Sequence, residues 1–264
     1  MQHHEPLWSN SLYPTFAYVI AFVGSVLGLA CSSRLHLVGF GRGKSWLGSG
    51  AVALGTGIWG MHFVAMLGYD VQGVTLRYNV TLTVLSWVLA VGVVGVGIYV
   101  AGRDSSWPSL LAGGLLAGVG VAGMHYLGMA AIIMPGTMSY DGSTVAMSIV
   151  IAIVAATAAL WATLRARGPL FITGAALVMA FAISGMHYTG MAAVSSTITD
   201  HTDPTTGVSA SAFVLPLIAG LSLIVFVVAF AVLMNPTEEL AADNPAPVRQ
   251  APPQPATTHG DWPS

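Results

Sequence analysis

SLLAGGLLAGVGVAGMHYLGMAA, residues 109–131, contains no Asp, Glu, Lys or Arg. Wound as a helix that rises about 1.5 Å per residue, it is long enough to cross the roughly 30 Å hydrocarbon core of a bilayer. Six further stretches have the same character, at residues 12–31, 46–68, 79–101, 145–164, 170–193 and 210–234. The chain's 8 Lys or Arg and 10 Asp or Glu are therefore expected in loops and tails. That segregation suits spanning helices, where a central charge costs about 2.5–3.5 kcal/mol on insertion scales. Over all 264 residues the composition is 55% hydrophobic and 7% charged, against roughly 25% charged in a soluble domain. An ordinary water-soluble fold is excluded. The near-balanced net charge of −2 excludes a nucleic-acid binder. Cys31, the single cysteine, cannot form an intramolecular disulfide or a Cys-based zinc framework. The class is an all-α polytopic membrane protein with seven transmembrane helices.

Charge asymmetry orients the chain. Arg34, Arg42, Lys44, Arg103, Arg165, Arg167 and Arg249 fall on one side of the spans and only Arg77 on the other, which by the positive-inside rule places the amino terminus outside and the carboxyl terminus in the cytoplasm. The first span follows a segment free of Lys and Arg, so it is expected to remain as an anchor rather than to be cleaved. Three regions result: an outer segment at 1–11, a transmembrane domain at 12–234, and a Pro- and Ala-rich tail at 235–264 expected to be disordered in the cytoplasm. The expected location is a multi-pass position in the plasma membrane.

The second, fourth and sixth spans end alike: GMHFVAM at 60–66, GMHYLGM at 123–129 and GMHYTGM at 185–191. The spacing fits two spanning helices and their loops, so each repeat is one helical hairpin. Two crossings restore direction, and the three copies therefore run parallel, with His62, His125 and His187 at one depth. The seventh span is an extra helix outside the threefold pattern. RYNVTLTVLSWVLAV at 77–91 also resembles SYDGSTVAMSIVIAI at 139–153. There Asn79 and Asp141 are expected to cap helix starts.

On a helix, residues four apart share a face. His62 thus pairs with Met66, His125 with Met129 and His187 with Met191. Met61, Met124 and Met186 sit about 100° round the helix and are weaker ligand candidates. Gly123, Gly128, Gly185 and Gly190 flank the second and third histidines, as Gly60 and Ala65 flank the first, and small neighbours let the imidazoles converge. Thioethers are soft, and imidazole serves copper, zinc and iron alike, so Met with His points to copper. With no carboxylate or thiolate in the histidine-bearing spans, copper(I) brings one uncompensated charge where zinc(II) would bring two. The bland alternative is packing, since methionine fills cores and a membrane histidine can strut helices. Three histidines in register, each with Met before it and Met four after, favour ligation. Tyr126 and Tyr188 are replaced by Phe63 in the first copy, so a hydroxyl is not required in every repeat, and stacking or interface anchoring is the expected role.

These motifs resemble the signature of the bacterial MHYT family of integral-membrane sensor domains, over roughly residues 12–234. The resemblance implies a module that binds copper through Met and His and senses a diatomic gas such as oxygen, carbon monoxide or nitric oxide. Relatives carry cytoplasmic domains that make or degrade cyclic di-GMP, whereas only the tail follows the last span here, so a separate cytoplasmic signalling partner is expected. Two other readings compete: copper delivery or storage, and a membrane haem protein with two axial histidines. A retinal protein is excluded because Lys44, the only lysine, lies in a loop. No phosphate-binding loop, paired intramembrane carboxylates or activated serine points to catalysis, and a non-enzyme is expected.

Overall fold

A computed structural model describes residues 12–71, 74–199 and 206–236. The expectations for the outer segment at 1–11, and for the tail beyond residue 236, lie outside the described residues. The helices are α1 (Leu12–Arg42), α2 (Lys44–Met66), α3 (Val80–Asp104), α4 (Trp107–Ala130), α5 (Gly142–Arg165), α6 (Pro169–Ala192) and α7 (Ala210–Leu233). Six of them are long and apolar enough to cross a membrane. The other is α2, whose residues from Gly50 to Met66 are nearly all buried. Enclosed by its neighbours, α2 meets little lipid and tolerates a glycine-rich, less apolar sequence. The lipid-facing surface is apolar instead: Val88, Leu116, Val154, Phe181 and Phe226 are all exposed, the reverse of a soluble protein.

Hairpins α1–α2, α3–α4 and α5–α6 close into a ring through α2 on α3, α4 on α5 and α6 on α1. The seventh helix, α7, lies outside against α1 and α2. Small residues bring the backbones together. A Cβ on Gly24 would stand 2.6 Å from the Gly57 Cα, and one on Gly55 would stand 2.7 Å from the Val91 Cα. Polar side chains then bridge neighbouring helices. Trp59 Nε1 donates to Ser86 Oγ at 3.0 Å, Trp87 Nε1 to Thr56 Oγ1 at 3.0 Å, and Tyr126 and Ser148 meet at 2.7 Å.

The charges depart from expectation. Arg34 and Arg42 belong to α1, which runs past residue 31, Lys44 opens α2 rather than lying in a loop, and Arg103 and Arg165 occupy last turns. The extension of α1 bends at Gly39, whose φ of 75° suits a residue without a Cβ. Arg34 is buried and makes no ion pair with a carboxylate among the described residues. It donates to the carbonyls of Val232 at 2.6 Å and Asn235 at 2.8 Å, at the end of α7, and to Ala30 at 3.0 Å. Terminal helix carbonyls are the negative pole of the helix dipole, so a cation is stabilised there. Arg34→Met is expected to cost about 1.5–3 kcal/mol for the lost charge-assisted bonds. It should also free the end of α7, read as faster hydrogen exchange at residues 230–235 with α2 unchanged.

Among the described residues, five short strands cap the bundle at the motif end, where only helices and loops are expected from the sequence. β1 (Arg77–Tyr78), β2 (Ile132–Ile133) and β5 (Val208–Ser209) form one sheet in the order β2-β1-β5, while β3 (Gly136–Tyr140) pairs antiparallel with β4 (Val194–Ile198). The strands follow motif helices α2, α4 and α6 and satisfy backbone groups where the chain leaves each helix. The two expected caps are present. The Asn79 side chain accepts from Leu82 N at 3.1 Å and that of Asp141 from Thr144 N at 2.9 Å. Asn79→Ala is expected to destabilise by about 1 kcal/mol in thermal or denaturant unfolding. Hydroxyls of Ser143 and Thr144, with the Thr144 amide, hold the Asp141 carboxyl down to about 2. A depressed carboxylate stabilises fully above its unfolded value near 3.9, and that contribution is lost as pH falls through about 2.

Candidate metal centre

His62, His125 and His187 sit in the last turns of α2, α4 and α6, at 1%, 0% and 1% exposure. Parallel repeats put equivalent residues at one depth. The ring of hairpins turns the three imidazoles inward, where they meet through the same atom. His62 Nδ1 stands 3.1 Å from His125 Nδ1 and 3.1 Å from His187 Nδ1, and His125 and His187 are 3.3 Å apart. The rings lie edge to face, with interplanar angles of 80°, 79° and 86°.

A triangle of nitrogens has a hydrogen-bonding problem. In a neutral imidazole each nitrogen is either a donor or an acceptor. Each contact needs one of each kind, but a closed cycle of three cannot alternate, so at least one pair must oppose two lone pairs or two N–H groups. A central cation removes the conflict, since all three lone pairs then point at it. The centre of such a triangle is about 1.8 Å from each corner, and a small displacement from the plane gives the roughly 2.0–2.1 Å of a metal–imidazole bond. The residues fit a three-coordinate metal ion. In that arrangement each Nε2 carries the proton.

The glycines explain how rings come this close. A Cβ on Gly128 would collide with His62 Nε2, and one on Gly190 with His125 Nε2, so these two rings each lie over a helix of the next repeat at a position that lacks a side chain. These two Nε2 atoms are buried and have no hydrogen-bond partner among the described residues. The residue after each histidine packs edge-on against it: Phe63 at 4.8 Å from His62, Tyr126 at 4.8 Å from His125, and Tyr188 at 4.9 Å from His187. This shared contact needs a ring and no hydroxyl, which accounts for phenylalanine in the first repeat.

All six motif methionines are enclosed in the same core: Met61, Met66, Met124, Met129, Met186 and Met191. The convergence of donor atoms is carried by the imidazoles. Cys31 packs apart, with Leu27, Ala53 and Val228. Tyr78 was not singled out in the sequence for this region. It is buried in the cap, donates to the Met66 carbonyl at 3.4 Å, and stacks on Phe213 of α7 at 5.0 Å. Phe213 in turn lies 5.8 Å from Phe63, so an aromatic cluster joins α7 to the helix that carries His62. Its only signal in the sequence is an aromatic in the stretch before a helix cap, too common to single out.

Comparison with known proteins agrees with the motif. The MHYT family, described as a bacterial signalling protein N-terminal repeat, matches three times, at residues 55–114, 118–180 and 181–242. The chain belongs to this family. Among its relatives, the bifunctional diguanylate cyclase/cyclic di-GMP phosphodiesterase MucR of Pseudomonas aeruginosa is 43% identical over 70% of this chain and 28% of its own length. The cyclic di-GMP phosphodiesterase NbdA of the same organism is 37% identical over 70% and 25%. The signaling protein YkoW of Bacillus subtilis is 30% identical over 70% and 24%. The chain thus spans about a quarter of the length of the curated relatives it matches. No solved structure matches it significantly. The protein is a multi-pass membrane signalling module of the MHYT type.

Proposed function

We propose that this module is a copper-binding sensor that holds copper(I) through His62, His125 and His187, and that it responds to an uncharged diatomic gas. The observation that carries the metal is the triangle of Nδ1 atoms, whose hydrogen bonding cannot close without a cation. Preference for copper(I) rests on the neutral donor set and on the six motif thioethers buried in the same core. The haem reading is weakened by the same geometry: two axial nitrogens must stand on opposite faces of a flat macrocycle, whereas here all three crowd one point.

Metal analysis of the purified full chain tests the reading. The expected result is copper retained through dialysis and lost on replacing the three histidines. Retention of zinc in preference to copper, or a Soret band, would overturn it. Orientation follows the basic residues: Arg165 and its neighbours face the cytoplasm, and the strand-capped end faces out. A cysteine at Asp70 should react with an impermeant reagent from outside, and one at Arg165 should not.

The names of the relatives support a signalling output connected with cyclic di-GMP. A sensor must bind its ligand differently in two conformations. Hydrogen exchange at residues 39–45 and 165–169 should therefore differ between copper-loaded and copper-free protein. An unchanged pattern with copper bound would favour delivery or storage instead.

A further inference from the structure

One helical turn inward from the histidines, at the same three repeat positions, stand Ile58, Val121 and Ile183. They line a cavity of about 40 Å³ that also reaches Met186, the residue before His187. Its remaining wall includes Ala156 and Ala159 of α5 and Ala182 of α6, all only half-buried and so bordering the hydrocarbon. Every lining side chain is Leu, Ile, Val, Ala or Met. A buried water needs two to four polar partners, and a cavity without them stays dry and takes up apolar guests.

We infer that this cavity is the docking site of an uncharged diatomic molecule, which reaches the histidine cluster from the bilayer hydrocarbon through the alanine seam of α5 and α6 rather than from the aqueous phase. The inference rests on the metal reading above and adds the place and route of the second ligand. Size sets the ligand class, because an apolar cavity of roughly 150 Å³ is what benzene requires, and about 40 Å³ admits only a molecule of a few atoms. Polarity sets it further: an ion or a polar solute would lose its hydration with nothing in return. Position completes the argument. On the cavity side of the cluster the lining is Ile58, Val121, Ile183 and Met186, which offers no charged or hydrogen-bonding group. On the opposite side the strands and Tyr78 close the bundle, leaving the histidines with 1% exposure or less.

Xenon and carbon monoxide test this with the full chain in lipid nanodiscs. Xenon, read by NMR on copper-free protein, reports the cavity independently of any metal. Carbon monoxide on copper(I)-loaded protein reports access to the cluster through its stretching band and its association rate. Ala156→Phe, which fills the cavity, should lower xenon occupancy and slow carbon monoxide association by about tenfold or more, the scale of a small mismatch in an apolar pocket, with copper content unchanged. Ile183→Ala, which enlarges it, should raise both and serves if the filled variant does not fold. Absence of xenon from the wild type, or carbon monoxide association unaltered in a folded variant that retains copper, would overturn the inference. Xenon uptake by a protein that retains no copper would instead leave the docking site standing and remove the metal reading.

Discussion

His125→Ala should release copper, lowering its affinity by at least about 100-fold, since even partners that only orient a metal ligand cost 10–100-fold when removed. The same result is expected for His62→Ala and His187→Ala, because the three nitrogens are within 3.1–3.3 Å of one another and equivalent in role. Thermal unfolding provides a second readout. Copper at about 100 times its dissociation constant should stabilise the wild type by about 2.7 kcal/mol and the variants hardly at all. Without metal, the variants also escape the odd cycle: with His125 gone, His62 and His187 form a single pair in which one nitrogen donates and the other accepts. Metal-free His125→Ala should therefore lose less stability than truncation of an ordinary buried side chain of that size. Met66, Met129 and Met191, on the histidine faces, should weaken copper retention more when replaced than Met61, Met124 and Met186. Wild-type copper content in His125→Ala, in protein that remains folded and monodisperse, would end the metal reading.

Gly128→Ala is expected to be nearly as damaging without touching a ligand. Its new methyl group would occupy the space of His62 Nε2, so the ring or the helix must shift. Overpacking of this kind costs about 1–3 kcal/mol. Displacing one corner of the triangle should also reduce copper affinity by a factor comparable to loss of a histidine. Gly190→Ala should do the same through His125. The first repeat carries Ala65 at the equivalent position, and Ala65→Gly should leave copper retention intact at a helix-propensity cost of about 0.5–1 kcal/mol. If Gly128→Ala proved as stable and as copper-retentive as the wild type, close approach of repeats would not be what sets the geometry of the centre.

Much of the architecture was legible because a bilayer restricts the options. A segment of about 20 apolar residues without charge must cross as a helix, so the positions of α3 to α7 agree with expectation to within a few residues. Helix caps were legible for a similar reason. Asn79 and Asp141 stand at the boundary between a polar loop and an apolar run, where free amide groups need an acceptor. The ends of α1 were harder to place. Nothing local distinguishes a helix that stops near residue 31 from one that continues to Arg42, because two of the three carbonyls that hold Arg34, those of Val232 and Asn235, lie some 200 residues away in sequence. Short strands at the motif end escaped prediction because they consist of two to five residues whose partners lie in other repeats.

The sequence by itself determined the repeat: three words of seven residues at nearly equal spacing require parallel helices and a common depth for His62, His125 and His187, whatever the details of packing. It also determined that small residues surround the histidines and that no carboxylate accompanies them in these helices. Only the tertiary structure decided that the imidazoles meet through Nδ1, that Gly128 and Gly190 are the surfaces on which neighbouring rings rest, and that Ile58, Val121 and Ile183 line an apolar cavity. Helical periodicity fixes which face a residue occupies on its own helix. The rotation of each helix about its axis, and hence which atoms converge at the centre of the ring, is set by contacts among all three hairpins together.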